Sequence, residues 1–187
     1  KTKPLISIIT PAYNEESIIY KNLNAIYLYM DSLNNLYDFE LIVVNDGSSD
    51  KTGELSEQFA KEHPKTRVIH HLANLNLGNA LRTGFKHAKG CFTVVLDLDL
   101  SYDIAHIKRL LDTIKATQAD VVLASPYMPG GKVTAVPFLR KVLSKWANRF
   151  LRIAAQEKFY TYTCMVRAYK TEFLQSMNLK TRDYEIS

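Results

Sequence analysis

Short apolar runs of strand length alternate with amphipathic helical patterns along the first two thirds of the chain. The strand-like runs are rich in β-branched residues, and each is followed by a segment whose apolar residues recur every three or four positions. Strands are predicted at 5–10, 39–44, 67–71, 92–97 and 120–124, and helices at 15–33, 51–62, 79–88 and 104–116. Strands joined through helices form right-handed crossover units, which place successive strands parallel. The alternation therefore predicts an α/β fold with a mostly parallel central sheet flanked by helices.

Length and composition are those of one ordinary globular domain. The chain has 187 residues, of which 47% are hydrophobic and 23% charged, so an intrinsically disordered protein is excluded and residues 1–187 are predicted to form a single domain. Cys91 and Cys164 lie far apart and outside any metal-binding spacing, which favours a reduced, intracellular protein. No apolar stretch is long enough to span a bilayer, and no signal peptide is visible. The chain begins at Lys1 and stops at Ser187 in a strand-like pattern, so we expect a fragment truncated at its C-terminal end.

The whole net charge of +5 can be attributed to one basic segment. Residues 121–156 contain several Lys and Arg residues but no Asp or Glu. This local charge favours an anionic ligand or surface over general nucleic-acid binding. A helix is predicted from Pro137 to Ala154, with apolar residues on one side and Lys141, Lys145 and Arg149 on the other. Two interpretations are open: a surface helix with a solvated basic face, or a helix lying along a membrane or an anionic lipid phosphate.

Three polar turns follow predicted strands: PAYNEE after the first, NDGSSD after the second and DLDLS after the fourth. Ligands of open parallel sheets bind at the carboxyl ends of the strands, which is where these turns are expected. Asp46 lies in the second turn, just before Gly47. The turn is explained either as a tight strand-to-helix connection or as a site in which Asp46 accepts hydrogen bonds from a nucleotide base.

Asp97 and Asp99 are two residues apart at the end of a buried strand, so in extended backbone they share a face. Two adjacent carboxylates repel each other and are stabilised by a cation. Mg²⁺ and Mn²⁺ take oxygen ligands, commonly one or two carboxylates with substrate phosphates completing the shell. A solvated strand end is the alternative, with Ser101 or Asp103 capping the next helix. The position beside two other polar turns favours a site for a metal ion and a diphosphate.

The motifs occur in an order that resembles a known family. The matching stretches are ISIITPAYNEE, ELIVVNDGSSDKT, LNLGNALRTGFKHAKG, VVLDLDLSYDIAHIKRLL, ADVVLASPYMPGGKV, FLRKVLSKWANRFLR and TCMVRAYK. The chain resembles the family 2 glycosyltransferases, most closely dolichol-phosphate mannose synthases and bacterial polyprenyl-phosphate glycosyltransferases. The resemblance covers nearly the whole chain and implies the GT-A fold, which is Rossmann-like.

The resemblance also implies roles at individual positions. In the nucleotide pocket, Asp46 would hold the base. The pocket residues implied in this way are Pro11, Tyr13, Glu15, Asp46, Gly78 and Arg82.

The implied chemical residues lie further along the chain. Asp97 and Asp99 would bind the Mg²⁺ or Mn²⁺ ion, with Asp99 the firmer ligand and Ser101 supporting the metal. Arg140 and Arg167 match basic positions that contact a lipid phosphate or a diphosphate.

Two stretches depart from the family pattern. The family usually has Ser-Arg-Tyr where this chain has Ser125-Pro126-Tyr127, so a phosphate-binding arginine is absent. A stretch with an acid, a serine and a glycine before its arginine is replaced at 161–166 by Thr, Tyr, Thr, Cys, Met and Val. These departures favour a divergent acceptor or a reduced activity over a close mannose synthase.

The resemblance implies transfer of a hexose from a GDP- or UDP-linked sugar to a polyprenyl phosphate, with inversion, at the cytoplasmic face of a membrane. A phosphate oxygen is already anionic near neutral pH, so this acceptor needs no strong general base. A sugar hydroxyl acceptor would need one, and Asp103 and Glu185 are weak candidates. The alternatives from other classes are a degenerate domain that binds nucleotide sugar or lipid phosphate without turnover, and a phosphoacceptor signalling domain.

Overall fold

The computed structural model describes residues 2–124 and 165–177, which are built around one sheet. The strands are β1 (Leu5–Ala12), β2 (Asp38–Asn45), β3 (Thr66–His70), β4 (Phe92–Val95), β5 (Val121–Leu123) and β6 (Arg167–Lys170). The helices are α1 (Ile19–Ser32), α2 (Thr52–Glu62), α3 (Leu77–His87), α4 (His106–Thr117) and α5 (Thr171–Ser176). The predicted basic helix, Arg140 within it and the departures at 125–127 and 161–164 lie outside the described residues.

The strand order in the sheet is β3-β2-β1-β4-β6-β5. The first four strands along the chain pair in parallel, which confirms the predicted α/β class. The sequence patterns do not predict β6, which lies antiparallel between β4 and β5, with Arg167 opposite both Val95 and Leu123. Its four residues are too few to give a periodic signal, and the pairing joins segments far apart in the sequence.

Helices cover both faces of the sheet. On one face, α1, α2 and α4 bury a cluster that includes Leu23, Phe59 and Leu111. On the other face, α3 and α5 pack over the alternate residues of the central strands, and Phe85 meets Tyr169 edge to face with ring centroids 5.7 Å apart. No helix among residues 2–124 and 165–177 is both long and apolar enough to cross a membrane.

Most element boundaries differ from the predicted ones by one or two residues, and two of the differences at the carboxyl edge of the sheet concern the polar turns. α1 begins at Ile19 rather than residue 15, because the backbone just before it is bound by the side chains of Asp50, in the second polar turn, and Thr52, at the start of α2. β4 ends at Val95 rather than residue 97, although the N–H of Leu96 still donates to Ile9 O at 3.0 Å. Beyond it the chain turns, with Leu100 at φ +50°. In both places, turns that carry polar side chains replace the predicted regular structure.

Candidate active site

A cleft of about 350 Å³ lies at the carboxyl edge of the sheet, where β1, β2 and β4 end. This is where open α/β sheets bind their ligands. Six of the residues implicated from the sequence line it: Pro11, Tyr13, Glu15, Asp46, Asp97 and Asp99. β1 lies between β2 and β4, and neighbouring strands are roughly 5 Å apart, so Asp46 and Asp97 occupy opposite ends of the cleft.

At the Asp46 end, hydrogen bonds hold the aspartate in place. Asp46 is buried, and its Oδ1 accepts hydrogen bonds from His71 Nδ1 at 2.6 Å and from the N–H of Leu75 at 3.0 Å. His71 is itself held by Thr83, whose Oγ1 lies 2.8 Å from Nε2. The carboxylate is therefore fixed by residues from two other segments of the chain.

The first two polar turns are tied together by side chains that bind backbone. Backbone N–H groups of the first turn donate to side chains of the second turn and of the start of α2: Asn14 N to Ser48 Oγ at 3.0 Å and Glu15 N to Thr52 Oγ1 at 2.7 Å. In the reverse direction, Lys51 N donates to Glu16 Oε2 at 3.0 Å. The polar residues of these turns thus serve largely to hold the cleft wall, a role that the sequence patterns do not assign to them.

Gly47 is required by its surroundings. Its φ is +68°, and a Cβ at this position would lie 2.2 Å from the backbone carbon of Ala73. Any side chain would push away the loop whose Leu75 N–H binds Asp46. This glycine therefore allows the loop between β3 and α3 to rest on the turn after β2.

Asn76 adds local strain at the same end of the cleft. It precedes α3 with φ +71° and ψ 160°, a region that is essentially reserved for glycine and costs roughly 1–3 kcal/mol. Its N–H donates to Asn74 Oδ1 at 3.0 Å, which leaves the amide nitrogen of Asn74, a residue that lines the cleft, available as a donor.

The Asp97 end has a different character. Leu96 and Leu98 are buried in the core, and Asn22 of α1 donates to Leu98 O at 2.9 Å. Because Asp97 lies between these two leucines, it is on the opposite side of the backbone and lines the cleft. Within the described residues the Asp97 carboxylate makes no hydrogen bond, and Asp99 accepts one, from the N–H of Ser101 at 2.9 Å.

Burial and mutual repulsion raise carboxyl pKa values at this end. Desolvation, followed by the charge of Asp99, raises the pKa of Asp97 to about 6. The pKa of Glu15 is also raised, by desolvation first and then by the charges of Asp99 and Asp50. A half-buried, unpaired carboxylate beside another carboxylate is destabilised when ionised, and a bound cation would remove that cost.

The other implicated residues lie around the cleft rather than in its lining. Gly78 is buried in the first turn of α3, and Arg82 lies one turn further on, bonded to Asn79. Ser101 meets Asp99 through its backbone. Arg167 is buried in β6 beside Val95, on the strand that completes the Asp97 side of the sheet.

The sequence predictions miss His71, which binds Asp46, and several residues of the cleft lining, among them Asn74, Asn76 and Met165. His71 directly follows the third parallel strand, so the rule that ligands bind at the carboxyl ends of parallel strands would also have indicated this residue. Met165 enters the cleft only because β6 pairs with β4, which no local pattern indicates.

A family model described as "Glycosyl transferase family 2" matches residues 7–176. The chain belongs to this family. Among curated relatives of this glycosyltransferase, a dolichol-phosphate mannosyltransferase of Pyrococcus furiosus is 36% identical over 149 residues, which are 80% of this chain and 41% of that protein. A polyprenol monophosphomannose synthase of Mycolicibacterium smegmatis is 32% identical over 180 residues, which are 94% of this chain and 65% of that protein. The expected resemblance is confirmed, and the chain spans less than two thirds of either relative.

Solved structures of glycosyltransferases share the GT-A fold found here. A mannosyltransferase from Pyrobaculum calidifontis, in complex with GDP-Man and Mn²⁺, superposes with a TM-score of 0.65 at 21% identity, covering 95% of this chain and 47% of that one. Glucosyl-3-phosphoglycerate synthase from Mycobacterium tuberculosis, in complex with UDP, gives a TM-score of 0.68 at 21% identity, covering 93% and 59%. The predicted fold class is therefore confirmed.

Proposed function

We propose that this family 2 glycosyltransferase transfers a hexose from a nucleotide diphosphate sugar to a polyprenyl phosphate, with inversion and with a divalent cation. The names of the relatives from Pyrococcus and Mycolicibacterium support the acceptor class. The single observation that carries the proposal is Asp97, a half-buried carboxylate that no residue in the described ranges pairs, beside Asp99 in the cleft.

The residues at this end fit a divalent cation. Both side chains are hard oxygen donors, and the raised pKa of Asp97 marks a carboxylate that lacks a positive partner. No cluster of three His, Cys, Asp or Glu is present in the part of the chain that the structure describes, so Asp97 and Asp99 would supply the protein ligands and a diphosphate would complete the shell. When bound, Mg²⁺ or Mn²⁺ would neutralise the charge that develops on the departing diphosphate.

The reaction needs no proton transfer. An anionic oxygen of the lipid phosphate attacks the anomeric carbon, a new C–O bond forms, and the bond to the nucleoside diphosphate breaks with its electron pair on the leaving group. Asp46 holds the base at one end of the cleft, while Pro11, Tyr13 and Glu15 line the cleft where β1 ends. The protein residues hold the donor in line for attack and exclude water. This role requires no nucleophile–histidine pair, and the cleft residues of the described ranges contain none.

The acceptor side rests on basic residues. Arg167 lies in β6, two positions along from Met165 in the cleft, and Arg140 lies in the predicted basic helix outside the described residues. We propose that both help to neutralise phosphate, because Pro126 cannot supply the forked donors of an arginine. We further propose that the basic helix associates with the cytoplasmic face of a membrane.

The direct test incubates the protein with Mn²⁺ or Mg²⁺, labelled GDP- or UDP-linked sugars and polyprenyl phosphates. The expected result is a labelled glycolipid that requires the cation. Arg167→Ala should reduce turnover far more than Arg109→Ala, a change on the exposed side of α4. Tight nucleotide binding without glycolipid from any donor would instead favour the domain that binds without turnover.

Membrane association has a test of its own. Replacing Lys141, Lys145 and Arg149 with glutamine should reduce co-sedimentation with anionic liposomes, because each basic residue near such a surface contributes about 1 kcal/mol. Equal sedimentation of both proteins would make this face an ordinary solvated surface.

A further inference from the structure

The Asp46 end of the cleft contains a chain of three hydrogen-bonded side chains, of which the proposed reaction assigns a role only to Asp46. Asp46 Oδ1 lies 2.6 Å from His71 Nδ1, and His71 Nε2 lies 2.8 Å from Thr83 Oγ1. The side chains of Asp46 and His71 are 5% and 9% exposed, so this bond is shielded from water. A histidine that hydrogen-bonds only to water would not be held in one orientation in this way.

The bonding pattern fixes both residues. An ionised carboxylate only accepts hydrogen bonds, so Nδ1 of His71 carries the hydrogen and donates it. The hydroxyl of Thr83 then anchors Nε2 and prevents the ring from turning. Leu75 donates its backbone N–H to the same oxygen at 3.0 Å, so both lone pairs of Oδ1 are occupied.

One oxygen of Asp46 therefore remains for a ligand. Oδ2 makes no hydrogen bond within the described residues, and Asp46 lines the cleft. Asn74 also lines the cleft, and its oxygen accepts the N–H of Asn76 at 3.0 Å, which leaves its amide nitrogen as the available donor. This end thus offers one acceptor that cannot donate and one donor.

We infer that His71 is a positioning residue that holds Asp46 so that Oδ2 selects bases with a ring N–H beside a carbonyl, namely uracil and guanine. The inference rests on the proposed function, in that the cleft binds a nucleotide. Uracil and guanine offer the N–H to Oδ2 and the carbonyl to the amide of Asn74. Cytosine and adenine instead present a bare ring nitrogen, which repels a fixed carboxylate oxygen and leaves it unpaired.

The experiment compares matched nucleotides on matched variants. Affinities of UDP against CDP, and of GDP against ADP, are measured by calorimetry with Mn²⁺ for the unaltered protein. The same affinities are measured for His71→Phe, His71→Asn and Thr83→Val. Phe fills the ring volume without a donor, whereas Asn retains an N–H near the position of Nδ1. His63→Asn is the control, because His63 lies between α2 and β3, at the opposite edge of the sheet from the cleft.

The unaltered protein should prefer UDP to CDP, or GDP to ADP, by about 10- to 100-fold, the range that one good base contact gives. His71→Phe should shrink that ratio to about threefold, because the freed carboxyl can turn towards either edge. His71→Asn should restore most of the ratio, Thr83→Val should give an intermediate value, and His63→Asn should leave the ratio unchanged. A purely structural role for His71 would lower all affinities together and leave the ratio unchanged.

Three outcomes overturn the inference. CDP or ADP binding as tightly as UDP and GDP to the unaltered protein would do so, as would an unchanged ratio in folded His71→Phe. If His71→Phe does not fold, an unchanged ratio in Thr83→Val together with loss of the ratio in His71→Asn counts equally against it. Failure of every nucleoside diphosphate to bind would instead remove the proposed function, on which the inference depends.

Discussion

The two ends of the cleft are both built on an aspartate that follows a parallel strand, yet their surroundings are opposite. Asp46 is buried, and one of its oxygens accepts hydrogen bonds from two donors. Asp97 is half-buried, has no hydrogen-bond partner in the described ranges, and has a pKa raised to about 6. The protein has organised one end in advance and left the other in need of a cation. Burial of a carboxylate alone therefore does not tell whether it has a structural or a ligand-binding role; its hydrogen-bond partners do.

The largest effect is expected from the metal end. Asp99→Asn should lower nucleotide affinity in Mn²⁺ by at least about 100-fold, since even indirect partners of a metal site are commonly worth 10- to 100-fold. Without metal, affinity should barely change. Calorimetry with and without Mn²⁺ measures both, and Asp112→Asn, an exposed change on α4, is the control. An unchanged metal-dependent affinity in Asp99→Asn would remove this residue from the site.

The same substitution at the two ends should change stability in opposite directions. Asp97→Asn removes a destabilised charge, so the metal-free protein should gain up to about 3 kcal/mol of unfolding free energy at pH 7, from a shift of about two pKa units. Asp46→Asn weakens the bonds from His71 and Leu75 and should cost about 1–3 kcal/mol. Urea unfolding of both variants checks the signs. Changes of the same sign in the unfolding free energy of the two variants would contradict the expected difference between the two ends.

The free energy of unfolding of the metal-free protein should depend on pH through Asp97. In the folded protein the pKa of Asp97 is about 6, so the carboxyl keeps its proton up to that pH, whereas in the unfolded chain it ionises near its ordinary pKa of 3.8. The native state binds more protons in between, so this group makes metal-free stability fall as pH rises from about 4 to 6, by about 1.4 kcal/mol per pH unit. Denaturant titrations of the unaltered protein and Asp97→Asn, subtracted at each pH, isolate this contribution. Saturating Mn²⁺ should abolish the fall.

The smallest effect concerns the ties that organise the cleft wall. Thr52→Val keeps the shape of a buried side chain but removes the oxygen that accepts the N–H of Glu15 at 2.7 Å, and it should cost about 1 kcal/mol. Thr113→Val on the exposed face of α4 loses only a bond to its own helix and should cost less. Thermal unfolding compares the two variants. Equal losses of stability would show that the hydrogen bond from Glu15 to Thr52 contributes no more than a bond within one helix.

The parallel part of the fold can be predicted from the sequence because local patterns encode it. β-branched runs, helical spacing and polar turns at strand ends are short-range features, and together with the family resemblance they point to six residues of the cleft lining. Asp97 and Asp99 stand out because their spacing alone puts them on one face.

The features that the sequence does not reveal depend on contacts between distant segments. Asp46 is expected to hold a base, and His71 can be noticed at the end of the third strand, but that the two side chains bind each other follows only from the pairing of β2 with β3. The turns PAYNEE and NDGSSD look independent along the chain, whereas their polar groups bind each other. β6 escapes prediction because pairing across a long separation leaves no periodic trace in four residues.

The position of β6 has a consequence for the order in which the protein can fold. β5 precedes β6 in the chain, yet within the described residues β5 pairs only with β6, and β6 joins it to β4. The sheet therefore cannot grow in chain order, because β5 must wait for a strand that is synthesised later. Val95 and Arg167 are about seventy residues apart, and closing so long a loop costs conformational entropy, which makes such pairings slow. We expect β1 to β4 to assemble first, together with the Asp46 end, and the wall containing Met165 to form last. A chain clipped between β5 and β6 would lose the partner of β5 and that wall together.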